Sequence, residues 1–181
     1  MTGKDCYIFT GGPGAGKTTV IELLRERGHV TVPESARLII RARIRRGLEP
    51  RPEPVRFASE ILARDIRRYD RCRDLKAPVF LDRGIPDALG MLHGLGEVSL
   101  EDARRELAVR SYNNRVFFFP PWQTIYTQDA QRDQDFDEAV RVANRVANWY
   151  EKLGFQLVHV PLVLPLKRLE FVLDKASERI R

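Results

Sequence analysis

Apolar residues along the chain form five short runs, which alternate with longer stretches where apolar residues recur every three or four positions. Short apolar runs bounded by turn residues predict buried β-strands, and the wider spacing predicts amphipathic helices. The predicted strands are residues 7–10, 29–32, 78–82, 115–119 and 156–160. The predicted helices are residues 17–27, 34–46, 54–74, 135–153 and 166–180, with further helices opening near Pro86 and at Ser99.

Strands that alternate with helices along the chain are typical of βαβ units. The pattern therefore predicts the α/β class, with a mostly parallel five-stranded sheet, helices on both of its faces and right-handed crossovers. We expect the strand order 2-3-1-4-5 and a single P-loop domain over residues 1–181.

A glycine-rich segment, GGPGAGKT at residues 11–18, lies between the first predicted strand and the first predicted helix. It fits the pattern G-x-x-x-x-G-K-[ST], and both flanks are the ones that the pattern requires. Glycines let successive backbone N–H groups point inward around phosphate oxygens, and the helix start adds unpaired N–H groups. The sequence thus predicts a nucleoside triphosphate site, with ATP or GTP bound by Gly11, Gly12, Pro13, Gly14, Ala15, Gly16, Lys17, Thr18 and Thr19.

The third predicted strand ends at Asp82, and Arg83 follows it directly. An acid at this place in a P-loop protein orients Mg²⁺, so we expect Thr18 and Asp82 to be the metal ligands. Arg83 would place a cation beside the phosphate or the substrate, and Asp87 is spaced to pair with it. The alternative is that Asp82 only caps the next helix and that Arg83 is a surface residue.

A further acid, Glu34, follows the second predicted strand. In the expected strand order it meets the P-loop and Asp82 at one crevice and can accept a proton from an attacking hydroxyl. A first-turn glutamate favoured by the helix dipole is the competing interpretation. Arg37, Arg41 and Arg45 continue the same helix face, which either steers an anionic substrate or is simply solvated.

The polar segment 127–133 precedes the clearest helix and is typical of a lid over a phosphate site, with its boundary near residue 134. Arg132 is our candidate for neutralising the charge that develops during phosphoryl transfer, so the predicted catalytic residues are Glu34, Asp82, Arg83 and Arg132. An ordinary connecting loop is the alternative.

The formal net charge of +6 permits an anionic small-molecule substrate, although acids are interleaved through most of the basic stretches. We find no clear nucleic-acid motif and no membrane span. Two cysteines, Cys6 and Cys72, exclude a disulfide framework or a four-cysteine zinc site. The N-terminal apolar segment is too short for a secretory signal, so we expect a cytoplasmic protein.

The order of these segments resembles a family of small bacterial P-loop proteins that carry an AAA domain and are labelled predicted ATPases. The segments are GGPGAGKTT, PESAR, FLDRGIPD, TQDAQRDQDFDEA and the strand ending at Val160-Pro161. Within P-loop proteins the resemblance is nearest to kinases of nucleosides and nucleotides, including ribosylnicotinamide kinases.

The resemblance implies roles for several residues. Residues 11–18 would bind ATP or GTP, Asp82 and Arg83 would match the Asp-Arg pair of the kinases, Glu34 their catalytic base and Arg132 their lid arginine. The loop at residues 160–165 would pack against the nucleotide base. Gly84 departs from the serine or aromatic residue that follows the pair in those kinases, and the lid has one clear arginine rather than a cluster.

Together these features favour a kinase that transfers the γ-phosphate of ATP or GTP to a small-molecule hydroxyl with Mg²⁺ as cofactor. The alternative is a nucleotide-dependent switch or ATPase that holds a protein, lipid or nucleic-acid partner on its basic surface. The sequence leaves the acceptor and the preferred base open.

Overall fold

The computed structural model describes residues 5–126 and 135–178. Strands and helices follow one another as β1 Cys6–Gly11, α1 Lys17–Glu26, β2 Val30–Val32, α2 Ser35–Ile44, α3 Pro54–Cys72, β3 Val79–Asp82, α4 Ile85–Gly94, α5 Leu100–Ala108, β4 Arg115–Phe119, α6 Phe136–Lys152, β5 Gln156–His159 and α7 Pro165–Ser177. A 3₁₀ turn, Gln123–Ile125, follows β4.

The five strands form one parallel sheet in the order β2-β3-β1-β4-β5. This confirms the predicted class, sheet and strand order. The register pairs Phe9 with Asp82 and Gly11 with Phe119, so β1, β3 and β4 end side by side. In open parallel sheets, ligands bind at this carboxyl edge.

Alternate residues of β1 point to opposite faces of the sheet and enter separate apolar clusters. Ile8 packs with Leu81 and Ile85 in a cluster that includes residues of α3, α4 and α6. Phe9 packs on the other face, with Phe80, Phe117 and residues of α1 and α7. Burial on both faces explains why β1 is a continuous apolar run in the sequence. The central strand is therefore held rigidly where it enters the P-loop.

Glu34 lies outside the helix that was predicted to begin with it. Its φ of −58° and ψ of 127° are not helical, and α2 begins at Ser35. Glu34 is therefore the N-cap residue of α2 and not a first-turn residue, and its carboxylate still lies at the N-terminal end of the helix, where the helix dipole favours an acid. Among the helices of the described segments, none combines the length and the hydropathy that crossing a membrane requires.

Candidate active site

The loop between β1 and α1 curls around the start of the helix. Gly16 has a φ of 84°, in the left-handed region that favours glycine, and a Cβ there would lie 2.8 Å from Nη1 of Arg168. A Cβ at Gly12 would lie 2.8 Å from the carbonyl oxygen of Ala139 on α6. No side chain caps the start of α1. Its first N–H groups are therefore left to bind an anion, which is what the motif predicts.

Lys17 is buried beneath this loop, with 6% of its surface exposed. Its Nζ donates to the carbonyl oxygen of Gly12 at 2.7 Å and to that of Gly11 at 3.4 Å. Burial, reinforced by the charge of Arg83, lowers the pKa of Lys17 to about 8. A cation held in this way is destabilised without an anionic partner, and a phosphate group in the loop would supply one.

Thr18 and Asp82 approach each other from α1 and β3. The hydroxyl of Thr18 donates to Oδ2 of Asp82 at 3.0 Å, while Oδ1 of Asp82 is buried and has no hydrogen-bond partner in the described parts of the chain. Burial and the nearby charge of Glu34 raise the pKa of Asp82. Two hard oxygens, one of them unsatisfied, fit Mg²⁺, which takes few protein ligands and completes its shell with phosphates and water. The described residues hold no cluster of three or more acidic, histidine or cysteine ligands.

Arg83 lies directly after β3 and joins three parts of the site. Its φ of 65° is the one left-handed value among the described residues that are not glycine. Its guanidinium donates to Oε1 of Glu34 at 3.1 Å and to the carbonyl oxygen of Gly11 at 3.1 Å. A backbone strain of this kind at a strand end is typical of functional sites, because the surroundings must hold it in place.

Glu34 accepts from two arginines, since its other oxygen receives Nε of Arg37 at 3.0 Å. Burial alone would raise the pKa of Glu34, but the charges of Arg83, Lys17 and Arg37 outweigh it and hold the pKa below the usual value. The carboxylate is thus ionised at neutral pH and is held beside the P-loop by Arg83.

Asp87, on the first turn of α4, accepts four hydrogen bonds from four different residues. Its Oδ1 receives the hydroxyl of Thr10 at 2.6 Å and Nη1 of Arg83 at 2.9 Å. Its Oδ2 receives the backbone N–H of Gly84 at 3.0 Å and the hydroxyl of Tyr150 at 2.5 Å. The predicted pairing with Arg83 is present, and it is one part of a buried network that links β1, β3 and α6. The residue before α4 is Gly84, and Asp87 caps it, so Asp82 does not cap this helix.

A buried arginine supports the opposite side of the P-loop. Arg168 on α7 donates to the carbonyl oxygen of Ala15 at 2.7 Å and to that of Pro161 at 2.9 Å. Its guanidinium carbon lies 4.5 Å from the ring centre of Trp122. This packing joins the P-loop to the segment after β5, where the resemblance implies contact with the nucleotide base.

One cavity of about 1030 Å³ extends across the whole carboxyl edge of the sheet. At one end it is lined by the P-loop, Trp122, Leu164 and Arg168. At the other end it is lined by side chains of α2, α3, α4 and α6, including Phe57 and Trp149. A volume of this size at a topological switch point is typical of a ligand site.

The structure brings Lys17, Thr18, Glu34, Asp82 and Arg83 together, and it places the exposed Thr19 on the cavity wall. Arg132 and the predicted lid lie outside the described residues. Among the residues that line the cavity, the sequence did not single out Asp65, Trp122 or Arg168. For Asp65 a signal was present, because it lies on the apolar face of α3 between Ile61 and Tyr69.

The sequence matches the model of the AAA domain family over residues 6–163. The chain belongs to this family. The match covers most of the AAA-domain protein and confirms the resemblance drawn from its motifs. A search of curated proteins finds no match.

Solved structures that resemble the AAA-domain protein include two kinases and NadR protein. Deoxyadenosine kinase from M. mycoides, with dCMP and dCDP bound, has a TM-score of 0.64 at 12% identity and aligns over 94% of this chain and 97% of its own. NadR protein in complex with NR has a TM-score of 0.67 at 16% identity, over 97% of this chain and 52% of its own. Thymidylate kinase from Ehrlichia chaffeensis has a TM-score of 0.62 at 16% identity, over 97% and 100%. At these identities the likeness establishes the fold.

Proposed function

We propose that the protein transfers the γ-phosphate of ATP or GTP to a hydroxyl group of a small molecule. The observation that carries the proposal is the convergence of Lys17, Glu34, Asp82 and Arg83 at the P-loop, at the point where the cavity continues into apolar walls. A protein that only bound or hydrolysed a nucleoside triphosphate would not need the additional apolar part of the cavity, which lies beyond the site of the phosphates.

The P-loop and Lys17 would hold the triphosphate. Backbone N–H groups at the start of α1 would bind phosphate oxygens, and Lys17 would add one positive charge beside the loop. Thr18 and Asp82 would hold Mg²⁺, which supplies positive charge against the phosphate oxygens. Phosphoryl transfer needs mainly positioning and charge neutralisation, and these side chains are already fixed by packing.

The acids and arginines would serve the transfer itself. Glu34 or Asp82 accepts the proton of the attacking hydroxyl, and Arg83 neutralises charge on the phosphoryl group. The low pKa of Glu34 makes it a weak base, whereas burial and the charge of Glu34 raise the pKa of Asp82. A loose phosphoryl-transfer transition state asks little of its base, so either assignment is compatible with catalysis. Arg132 remains a proposed lid arginine.

The acceptor belongs at the end of the cavity that α2, α3, α4 and α6 surround. Arg37 and Arg145 line it together with apolar side chains, which suits a molecule with an apolar ring and permits an anionic group. Kinases of deoxyadenosine and thymidylate share the fold, as does a protein that binds NR. Nucleosides, nucleoside monophosphates and ribosides are therefore the first acceptors to test.

The test is a screen for ADP or GDP release that depends on an acceptor. Purified protein with Mg·ATP or Mg·GTP is offered nucleosides, nucleoside monophosphates, ribosides and other hydroxylated metabolites, and each product is identified by mass. A Lys17→Ala variant controls for contaminating kinases. We expect at least one phosphorylated product that the variant does not form. Nucleotide binding by the wild type without any product would refute the proposal.

The alternative, a nucleotide-dependent switch, draws support from exposed arginines at the end of α2: Arg41 in the helix and Arg45 and Arg46 directly after it face solvent. Such a protein would bind an anionic partner in one nucleotide state, and binding would weaken steeply with salt. Pull-down of a partner with ATP but not ADP, together with no acceptor in the screen, would favour the switch.

A further inference from the structure

Asp65 on α3 is a buried carboxylate on the wall of the cavity, and the proposed transfer does not use it. It is 8% exposed and lines the acceptor end. Its surroundings there are apolar, with Ile40, Phe57 and Ile61 on the same wall. Buried carboxylates are rare without a partner that compensates for lost hydration.

Only one of the two oxygens of the Asp65 carboxylate accepts a hydrogen bond from the described residues. Oδ1 receives the hydroxyl of Ser35 at 2.5 Å, and within residues 5–126 and 135–178 no hydrogen bond reaches Oδ2. Arg68 lies near but donates to Ser35 at 3.2 Å and to the carbonyl oxygen of Pro33, and it forms no ion pair with Asp65. The other acids of the cavity differ, since Glu34 and Asp87 are both paired with Arg83.

Asp65 is also close to the proposed reaction centre. Ser35, its hydrogen-bond donor, directly follows Glu34, and consecutive Cα atoms are about 3.8 Å apart. A molecule the size of one or two rings can therefore place a hydroxyl at Glu34 and a second polar group at Asp65. Phe57 offers an aromatic surface beside them.

We propose that Asp65 selects the acceptor by accepting a hydrogen bond from an N–H group on its ring system, so that the preferred acceptor is a hydroxylated molecule with an amino-bearing planar ring. This inference rests on the proposed function for the role of the cavity. An ionised carboxylate accepts but cannot donate, so a ring that presents only acceptors leaves it unpaired and binds more weakly. Sites built around a buried polar group discriminate strongly against ligands that lack the matching group.

The test compares matched compounds on matched variants. Affinities are measured by calorimetry, in the presence of a non-hydrolysable ATP analogue, for pairs that differ by one amino group, such as 2′-deoxyadenosine and purine 2′-deoxyriboside. The proteins are wild type, Asp65→Asn and Asp70→Asn. Asp70 lies on the same helix with half of its side chain exposed, so its variant removes the same charge outside the cavity.

We expect wild type and Asp70→Asn to bind the amino compound at least tenfold more tightly than its partner, and Asp65→Asn to bind both alike. A purely structural role for Asp65 would weaken both compounds equally and leave their ratio unchanged, which would overturn the inference. Equal affinities in wild type, or no binding of any pair, would overturn it as well. ADP release is measured separately, on the same proteins and compounds, with ATP in place of the analogue. Selective binding without phosphorylation would refute the proposed transfer but support the role of Asp65, whereas phosphorylation without selectivity would do the reverse.

Discussion

Asp87 holds the guanidinium of Arg83 at 2.9 Å, and the same carboxylate binds Tyr150 of α6 at 2.5 Å. Asp87 thus fixes the position of Arg83, and Asp87 itself is held by α6, the helix that follows the predicted lid. The side chain of Asp87 is 6% exposed, so solvent does not compensate for its loss. Asp87 is a positioning residue for Arg83.

Asp87→Asn should slow phosphoryl transfer while leaving nucleotide affinity nearly unchanged. An amide cannot accept from all four donors as a carboxylate does, and it removes the charge that faces Arg83. We expect kcat to fall about 10- to 100-fold and the free energy of unfolding to fall by about 2–3 kcal/mol, measured by steady-state kinetics and urea titration.

Tyr150→Phe is the matched control, because it removes one bond to Asp87 and leaves the pair with Arg83. It should lower stability by about 1 kcal/mol with a smaller effect on kcat. If both variants lose stability but keep the wild-type kcat, the network serves folding alone.

Glu34→Gln tests whether this acid takes part in the transfer. The amide can neither take a proton nor pair with Arg83 and Arg37 together, and so we expect transfer to fall by about 100-fold or more with nucleotide affinity unchanged. Glu22→Gln, on the exposed face of α1, is the control. Because the charges around Glu34 hold its pKa low, wild-type activity should show no step from Glu34 between pH 5 and 8. Transfer that is unaffected in Glu34→Gln would remove Glu34 from the reaction.

Asp82→Asn should weaken the response to Mg²⁺ specifically. The substitution replaces the unsatisfied Oδ1 and removes the negative charge that would face the ion beside Thr18. We expect the Mg²⁺ concentration for half-maximal stabilisation by ATP to rise at least tenfold, read from thermal unfolding. Stabilisation by ATP with EDTA should change little. Thr18→Ser keeps the hydroxyl and should behave as wild type, and an unchanged Mg²⁺ requirement in Asp82→Asn would exclude this acid as a ligand.

Much of this site could be predicted from the sequence, because its residues are local to strand ends. The P-loop, Glu34 and the Asp82-Arg83 pair each follow an apolar run, and a parallel sheet brings such ends to one edge. Asp87 and Arg168 are different, since Asp87 binds a tyrosine 63 residues away and Arg168 binds the carbonyl of Ala15 across 153 residues. Such contacts depend on how α6 and α7 pack, which periodicity does not specify.

Asp65 is an exception to the apolar pattern of α3. A carboxylate on the apolar stripe of α3, four residues after Ile61 and four before Tyr69, conflicts with the burial that the stripe predicts. A carboxylate on an otherwise apolar helix face therefore indicates a candidate functional residue. The partners of Asp65, however, come from α2, and only the packing of α2 on α3 shows that one oxygen is left without a donor.

Stability should therefore rise when the charge of Asp65 is removed. Burial, together with the negative charges of Asp87 and Glu34, raises its pKa from 3.8 to about 6, although Ser35 and Arg68 act in the opposite direction. A folded-state pKa above the unfolded value means that the ionised carboxylate destabilises the fold above about pH 6. This destabilisation shrinks as the pH falls below about 6 and disappears near about pH 3, where the carboxyl is protonated in both states.

Asp65→Asn should accordingly be more stable than wild type by about 3 kcal/mol at pH 7.5 and equal to it near about pH 3. Urea unfolding at several pH values measures the difference, and Asp70→Asn should track the wild type throughout. Because Asn keeps an oxygen for the hydroxyl of Ser35, the gain reports the charge and not a lost tether between α2 and α3. An Asp65→Asn protein that is less stable at pH 7.5 would show that the carboxylate is retained for folding, and a more stable one would show that it is held in the cavity at a cost to the fold.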